Sequence, residues 1–139
     1  MVILDTNHYS EFYRGSEEGV RLRQRIVVER SVVVISVPTL EEALKGRLAQ
    51  ASVATNGKLI QCYARLQEEV KALNNWLVLP WSEVSATHFQ KLKPSLRTKV
   101  GTQDLRIASI ALAFDAIVLT RNLVDFEKVP GLRVENWLD

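Results

Sequence analysis

Hydrophobic positions follow two rhythms along this chain: short unbroken apolar runs, and longer stretches in which apolar residues recur at helical spacing. Val2-Ile3-Leu4 is a short run that stops abruptly at Asp5-Thr6-Asn7, the pattern of a buried strand. Ser16 is placed to cap a helix carrying Val20, Leu22, Ile26 and Val27 at helical spacing. Residues 31–37 are β-branched almost throughout and predict a second strand. Pro38 then suits the first turn of a helix that runs through Leu40, Leu44 and Leu48. A longer helix is expected from about Asn56, with Leu59, Tyr63, Leu66, Val70 and Leu73 on one face. Residues 76–79 read as a third strand stopped by Pro80, and residues 85–92 as a helix. Residues 93–101 read as a basic linker in which Pro94 breaks the pattern. Thr102 is placed to cap a helix over 103–114, and residues 116–119 form a fourth strand. A loop or short helical turn spans 121–127, and Pro130-Gly131 turns the chain into a last strand near Arg133 and Val134.

Strands alternating with helices imply crossover connections, hence a mostly parallel sheet covered on both faces. The predicted architecture is α/β: one three-layer α/β/α sandwich over residues 1–139, with no internal repeat or inter-domain linker. A chain of 139 residues with 47% hydrophobic content is long enough for one core and too short for two ordinary domains. No apolar run approaches the roughly 20 residues that cross a bilayer. No basic stretch followed by an apolar one opens the chain, so the expected location is the cytoplasm, without a membrane partner. The single cysteine, Cys62, excludes an internal disulfide and a thiolate cluster, and is expected to be buried on its helix.

In an open parallel sheet, ligands bind beyond the carboxyl ends of the strands. Asp5 falls just past the first strand, and Asn122 and Asp125 follow the fourth. Asp104 lies in the first turn of its helix and Glu42 early in the helix after the second strand. Four carboxylates distant in sequence thus converge on one edge. Such a cluster resists full ionisation, because like charges raise one another's pKa. A hard divalent cation relieves the conflict, and Mg²⁺ or Mn²⁺ suits carboxylate oxygens without a His or Cys cluster. Each acid also has a local explanation. Asp5 is a turn or cap residue, Asp104 complements a helix dipole, Glu41 and Glu42 form a solvated pair, and Asp125 is loop surface. Periodicity leaves open which of Glu41 and Glu42 faces the site. Glu42 falls opposite the main apolar stripe, beside a narrow row of Gly46, Ala49 and Val53 suited to close packing or to substrate approach.

The net charge is +2, but setting the four acids aside as metal ligands leaves 18 basic against 12 acidic side chains. That surplus is compatible with a polyanionic substrate. Lys91, Lys93, Arg97 and Lys99 precede Asp104, while Arg106 and Arg121 flank site positions. Lys93, Arg97, Lys99, Arg106 and Arg121 are the candidate phosphate contacts, with a solvated linker as the alternative. His8 and His88 lack partners at metal-ligand spacing, and His8 is read as a bystander. Tyr9, Phe12 and Tyr13 are read as core or dimer contacts, and Trp137 as packing the C-terminus onto the domain.

Four segments together resemble the PIN-domain family, in particular its VapC-type toxins. They are Val2-Ile3-Leu4-Asp5-Thr6-Asn7, Ile35-Ser36-Val37-Pro38-Thr39-Leu40-Glu41-Glu42-Ala43-Leu44-Lys45-Gly46, Gln103-Asp104-Leu105-Arg106-Ile107-Ala108, and Val118-Leu119-Thr120-Arg121-Asn122 through Asp125-Phe126 to Glu135-Asn136-Trp137. In that resemblance the second acid stands four residues before the glycine, which selects Glu42. The fourth position falls to Asp125 or Asn122. The resemblance implies a Mg²⁺- or Mn²⁺-dependent endoribonuclease acting on tRNA, rRNA or mRNA. It points to Asp5, Glu42 and Asp104 as metal ligands and Asp125 as a further catalytic acid, and the hydroxyls and amides beside them, Thr6, Asn7, Thr120 and Asn122, are expected to orient these carboxylates. It also implies a homodimer and a small cognate antitoxin. The competing readings are a non-catalytic PIN fold that binds RNA or protein, and a DNA-cleaving nuclease of the same fold. A haloacid-dehalogenase phosphatase needs a second acid where this chain has Asn7.

Overall fold

A computed structural model describes all of residues 1–139. The first strand, β1 (Val2–Leu4), is buried at every position, as its unbroken apolar run requires. Asp5 then starts helix α1 (Thr6–Tyr13), which leads through a short turn into α2 (Glu17–Glu29). Next come strand β2 (Val33–Ser36) and the helical pair α3 (Val37–Val53) and α4 (Asn56–Leu73). Strand β3 (Val78–Leu79) precedes α5 (Glu83–Leu96) and α6 (Thr102–Ala113). Strand β4 (Ile117–Leu119), the single-turn helix α7 (Leu123–Phe126) and strand β5 (Arg133–Glu135) complete the chain.

The five strands form one sheet in the order β3-β2-β1-β4-β5, and every pairing is parallel. Period-two alternation divides its side chains between two cores. Ile3, Val34 and Val118 join α5, α6 and α7 through Leu96, Leu105, Ile110 and Phe126. Val2, Leu4, Ile35 and Leu119 face the other way, onto Tyr9, Leu22, Leu73, Trp137 and Leu138. These two cores make the three-layer α/β/α sandwich expected from the sequence.

Several boundaries differ from expectation. Helix α1 has no bounds in the sequence reading, where Asp5-Thr6-Asn7 stand as a turn or the cap of a helix; the structure takes the cap. Strand β2 omits residues 31, 32 and 37, and β3 omits 76 and 77. Parallel pairing is limited by the neighbours: β1 offers only Val2 and Ile3 to β2, and β3 pairs only with Ile35 and Ser36. Helix α5 begins two residues early, capped by Ser82, whose Oγ accepts the Ser85 N–H at 3.1 Å. It also continues through Pro94, so Lys93 lies in its last turn and the expected linker shrinks to residues 97–101. A proline near a helix end removes only one ladder bond, and the burial of Leu96 offsets it. The cap of α6 is Gly101, not Thr102, and no side-chain cap bond forms there. Cys62 is half-buried, not buried. No helix is long and apolar enough to cross a membrane.

Candidate active site

The chain runs β1, β2, β3 toward one edge of the sheet and places β4 and β5 on the other side of β1. The carboxyl ends of β1 and β4 therefore border the switch-point crevice, where open α/β sheets place their ligands. Asp5 leaves β1 at this point. It is buried, and its Oδ1 caps α1 by accepting the His8 N–H at 2.8 Å. The same oxygen accepts from His8 Nδ1 at 3.2 Å. Oδ2 has no protein partner and is not sealed from solvent. The local reading of Asp5 as a helix cap is thus true, and it is what fixes the carboxylate at the site.

Thr6, the first residue of α1, donates its hydroxyl to Glu42 Oε2 at 2.5 Å. The neighbouring Glu41 turns away and accepts from Gln103 Nε2 of α6 at 2.7 Å. The two glutamates are thereby separated by role. On α6, Asp104 Oδ2 accepts from Asn122 Nδ2 at 3.2 Å, and the same amide donates to Asp125 Oδ2 at 2.9 Å. Asn122 is held in turn by its own N–H, which donates to the buried Thr120 Oγ1 at 2.9 Å. Lys128 Nζ donates to Asp125 Oδ1 at 3.0 Å and to the Lys99 carbonyl at 3.2 Å.

The electrostatics separate the acids. Burial pushes the Asp104 carboxyl above the ordinary carboxylate range, and the charges of Asp5, Glu42 and Asp125 push it further, against the lowering effect of Asn122. Asp125 moves the other way, lowered by the Asn122 amide and by Lys128. Asp5, Glu42 and Asp125 therefore all stand near enough to act on Asp104 across the crevice. Asp5, Glu42 and Asp104 each keep one oxygen free of protein donors, whereas both oxygens of Asp125 are engaged.

The remaining candidates sort themselves by contact. Thr6 and Asn122 bond carboxylates directly, and Thr120 acts through Asn122. Asn7 is exposed and makes no such bond. Arg121 is paired with Asp139, with both contacts at 3.3 Å, and Arg106 Nη1 donates to Gln103 Oε1 at 2.8 Å. Lys93 and Arg97 are exposed on α5 and at its end, beside a cavity of about 320 Å³ shared with Gln90 and Pro94. Gly46 lines a larger groove of about 500 Å³ that begins at Thr6 and Glu42 and runs between α1, α3 and α4. Nothing lies within 4 Å of where its Cβ would stand, so Gly46 opens onto the groove and does not serve close packing, while Ala49 and Val53 are exposed outside it.

His8 is what sequence reasoning missed. It is completely buried, and its Nε2 accepts the backbone N–H of Trp137 at 3.3 Å, a partner 129 residues away. No local spacing signals such a contact.

Residues 2–132 match the family model described as the PIN domain. The chain belongs to the PIN-domain family. Among curated PIN-domain relatives, a tRNA(fMet)-specific endonuclease VapC of Salmonella typhimurium is 31% identical over 97% of this chain and 96% of its own. A protein of the same name from Shigella flexneri is 28% identical with the same coverage. Among solved structures, a DNA-bound VapBC of Salmonella typhimurium superposes with a TM-score of 0.76. It is 28% identical and covers 98% of this chain and 97% of that one. Relatives and PIN fold agree with the four-segment resemblance and span nearly the whole chain.

Proposed function

We propose that this PIN-domain protein is the ribonuclease of a toxin–antitoxin pair and hydrolyses RNA phosphodiester bonds at the acidic edge of β1 and β4 with Mg²⁺ or Mn²⁺. The names of its VapC relatives support the ribonuclease, and the VapBC assemblies among its structural neighbours support a small antitoxin as partner. Metal dependence is a property of PIN-domain nucleases as a class. The observation that carries it here is the crowding of carboxylates at one edge, where burial first, and then the charges of Asp5, Glu42 and Asp125, hold the Asp104 carboxyl up.

The donor set fits a hard cation. All the free donors are carboxylate oxygens, namely Oδ2 of Asp5, Oε1 of Glu42 and Oδ1 of Asp104. No three His, Cys, Asp or Glu side chains are arranged to grip an ion unaided, so an ion held here would take the rest of its shell from water. When bound, such an ion supplies Lewis acidity to the phosphoryl oxygens and makes attacking water more acidic. The protein's own part is positioning. Thr6 holds Glu42, Asn122 holds Asp104, and Asp125 with Lys128 holds Asn122. The groove beginning at Thr6 and Glu42 gives the RNA chain a path to the edge. The homodimer expected of the family belongs to the same proposal.

The test is cleavage of labelled total RNA and of initiator tRNA by purified, inhibitor-free protein with Mn²⁺, Mg²⁺ or EDTA, beside Asp5→Asn. Discrete products are expected with metal, and none with EDTA or the variant. Tight RNA binding without cleavage by the wild type would replace the enzyme with a binding module.

A further inference from the structure

His8 stands between the Asp5 carboxylate and the C-terminal segment. Its ring is completely buried, and both nitrogens are used. Nε2 faces the Trp137 N–H, a donor, and so serves as acceptor and carries no proton. The ring proton then belongs on Nδ1, where it points at Asp5 Oδ1 3.2 Å away. That oxygen also receives the His8 backbone N–H at 2.8 Å. Two donors on one oxygen stop the carboxylate from turning about its last bond, and they leave Oδ2 as the oxygen free to meet a cation.

The far end of this relay is anchored as firmly. Trp137 and Leu138 lie in the core beneath β1 and β4. The Trp137 Nε1–H donates to Glu135 Oε2 at 2.6 Å, and the Arg25 guanidinium covers its ring at 4.5 Å. Arg21 Nη2 donates to the Leu138 carbonyl at 2.9 Å. The acceptor nitrogen of His8 is thus fixed against α2 and the end of the chain, and its donor nitrogen against the metal-site acid.

We infer that His8 is a positioning residue: its Nδ1–H fixes Asp5 so that a single oxygen is presented to the divalent ion, and the backbone of Trp137 fixes the ring that does so. The inference rests on the metal-site reading above. Partners that orient a ligand in this way are commonly worth about 10–100-fold in metal affinity.

Mn²⁺ binding by isothermal titration, measured on His8→Val and His8→Asn beside the wild type, separates the possibilities. The valine removes both ring contacts, whereas the asparagine amide replaces only the donor at the Nδ1 position. Affinity should fall about tenfold or more in His8→Val and return most of the way in His8→Asn. Unchanged affinity in a folded His8→Val overturns the inference, and so does equal loss in both variants with the same melting temperature, which marks a packing role. A wild type that binds no Mn²⁺ removes the metal reading itself and the inference with it. Where the variants do not fold, the ¹⁵N spectrum of the wild-type imidazole decides: a proton on Nδ1 is expected, and a proton on Nε2 overturns the arrangement.

Discussion

Asp5 carries two duties through two different oxygens, and the duties respond differently to substitution. Asparagine caps helices about as well as aspartate, so Asp5→Asn should fold normally while losing cleavage. Asp5→Ala removes the cap as well and leaves the buried His8 N–H groups without an acceptor. It should cost about 1–3 kcal/mol in urea denaturation, where Asp5→Asn costs little. Asp104 makes the opposite prediction. Its carboxyl is held above the ordinary value, first by burial and then by Asp5, Glu42 and Asp125. Between the ordinary and the raised pKa the folded chain binds the extra proton, so metal-free stability falls as pH rises through that window, and the full cost is present above the raised value. Asp104→Asn should therefore melt higher than the wild type in EDTA at pH 7, with the advantage disappearing under acid conditions. Added Mg²⁺ should reverse the order, since an ion at a hundred times its Kd stabilises the wild type by about 2.7 kcal/mol. Equal melting temperatures in EDTA at both pH values would mean that neither burial nor the neighbouring acids burden the charged Asp104.

Among the elements, the start of α2 lies against the end of α1 with no room for a side chain at Gly19. A Cβ on Gly19 would lie 2.3 Å from the Glu11 carbonyl and 2.6 Å from that of Arg14. Alanine is ordinarily the better helix former, yet here Gly19→Ala should destabilise by about 1–3 kcal/mol, because backbone and not a flexible side chain must move. Chemical denaturation would reveal a gain in stability if the approach were looser. The long amphipathic elements were legible from the sequence because many apolar positions agree: α4 is where its face of Leu59 to Leu73 puts it. The bounds of helix α1 were not, since its cap Asp5 and its first residues Thr6 and Asn7 are equally at home in a turn. The ends of β2 and β3 escaped for a different reason. Propensity describes a segment alone, whereas strand length is set by the partner. At the site, the acids and their order could be read from four short segments, and Glu42 could be chosen over Glu41 only by resemblance. The His8 contact was invisible, because its partner is a backbone N–H at the other end of the chain.

At the scale of the molecule, charge and shape decide how a polyanion approaches. Two of the five basic candidates are already occupied, Arg121 with Asp139 and Arg106 with Gln103. Lys93 and Arg97 make no ion pair and lie together at the end of α5. If they meet phosphates, the double change to alanine should weaken RNA binding uniformly across sequences. It should also flatten the dependence of log K on log salt by about 0.7 per lost contact with single-stranded RNA. An unaltered slope would assign the pair to solvated surface.

The central position of β1 has a consequence for the cell that makes this protein. Its two neighbours in the sheet are β2 and β4, and β4 is translated more than a hundred residues later. Asp104 and Asp125 arrive with that late half, and so does the Trp137 backbone that holds His8. A chain of which only the first hundred residues have been made accordingly has Asp5 and Glu42 but lacks Asp104, Asp125 and the backbone N–H that meets His8, so the acidic edge is completed only in the last third of synthesis.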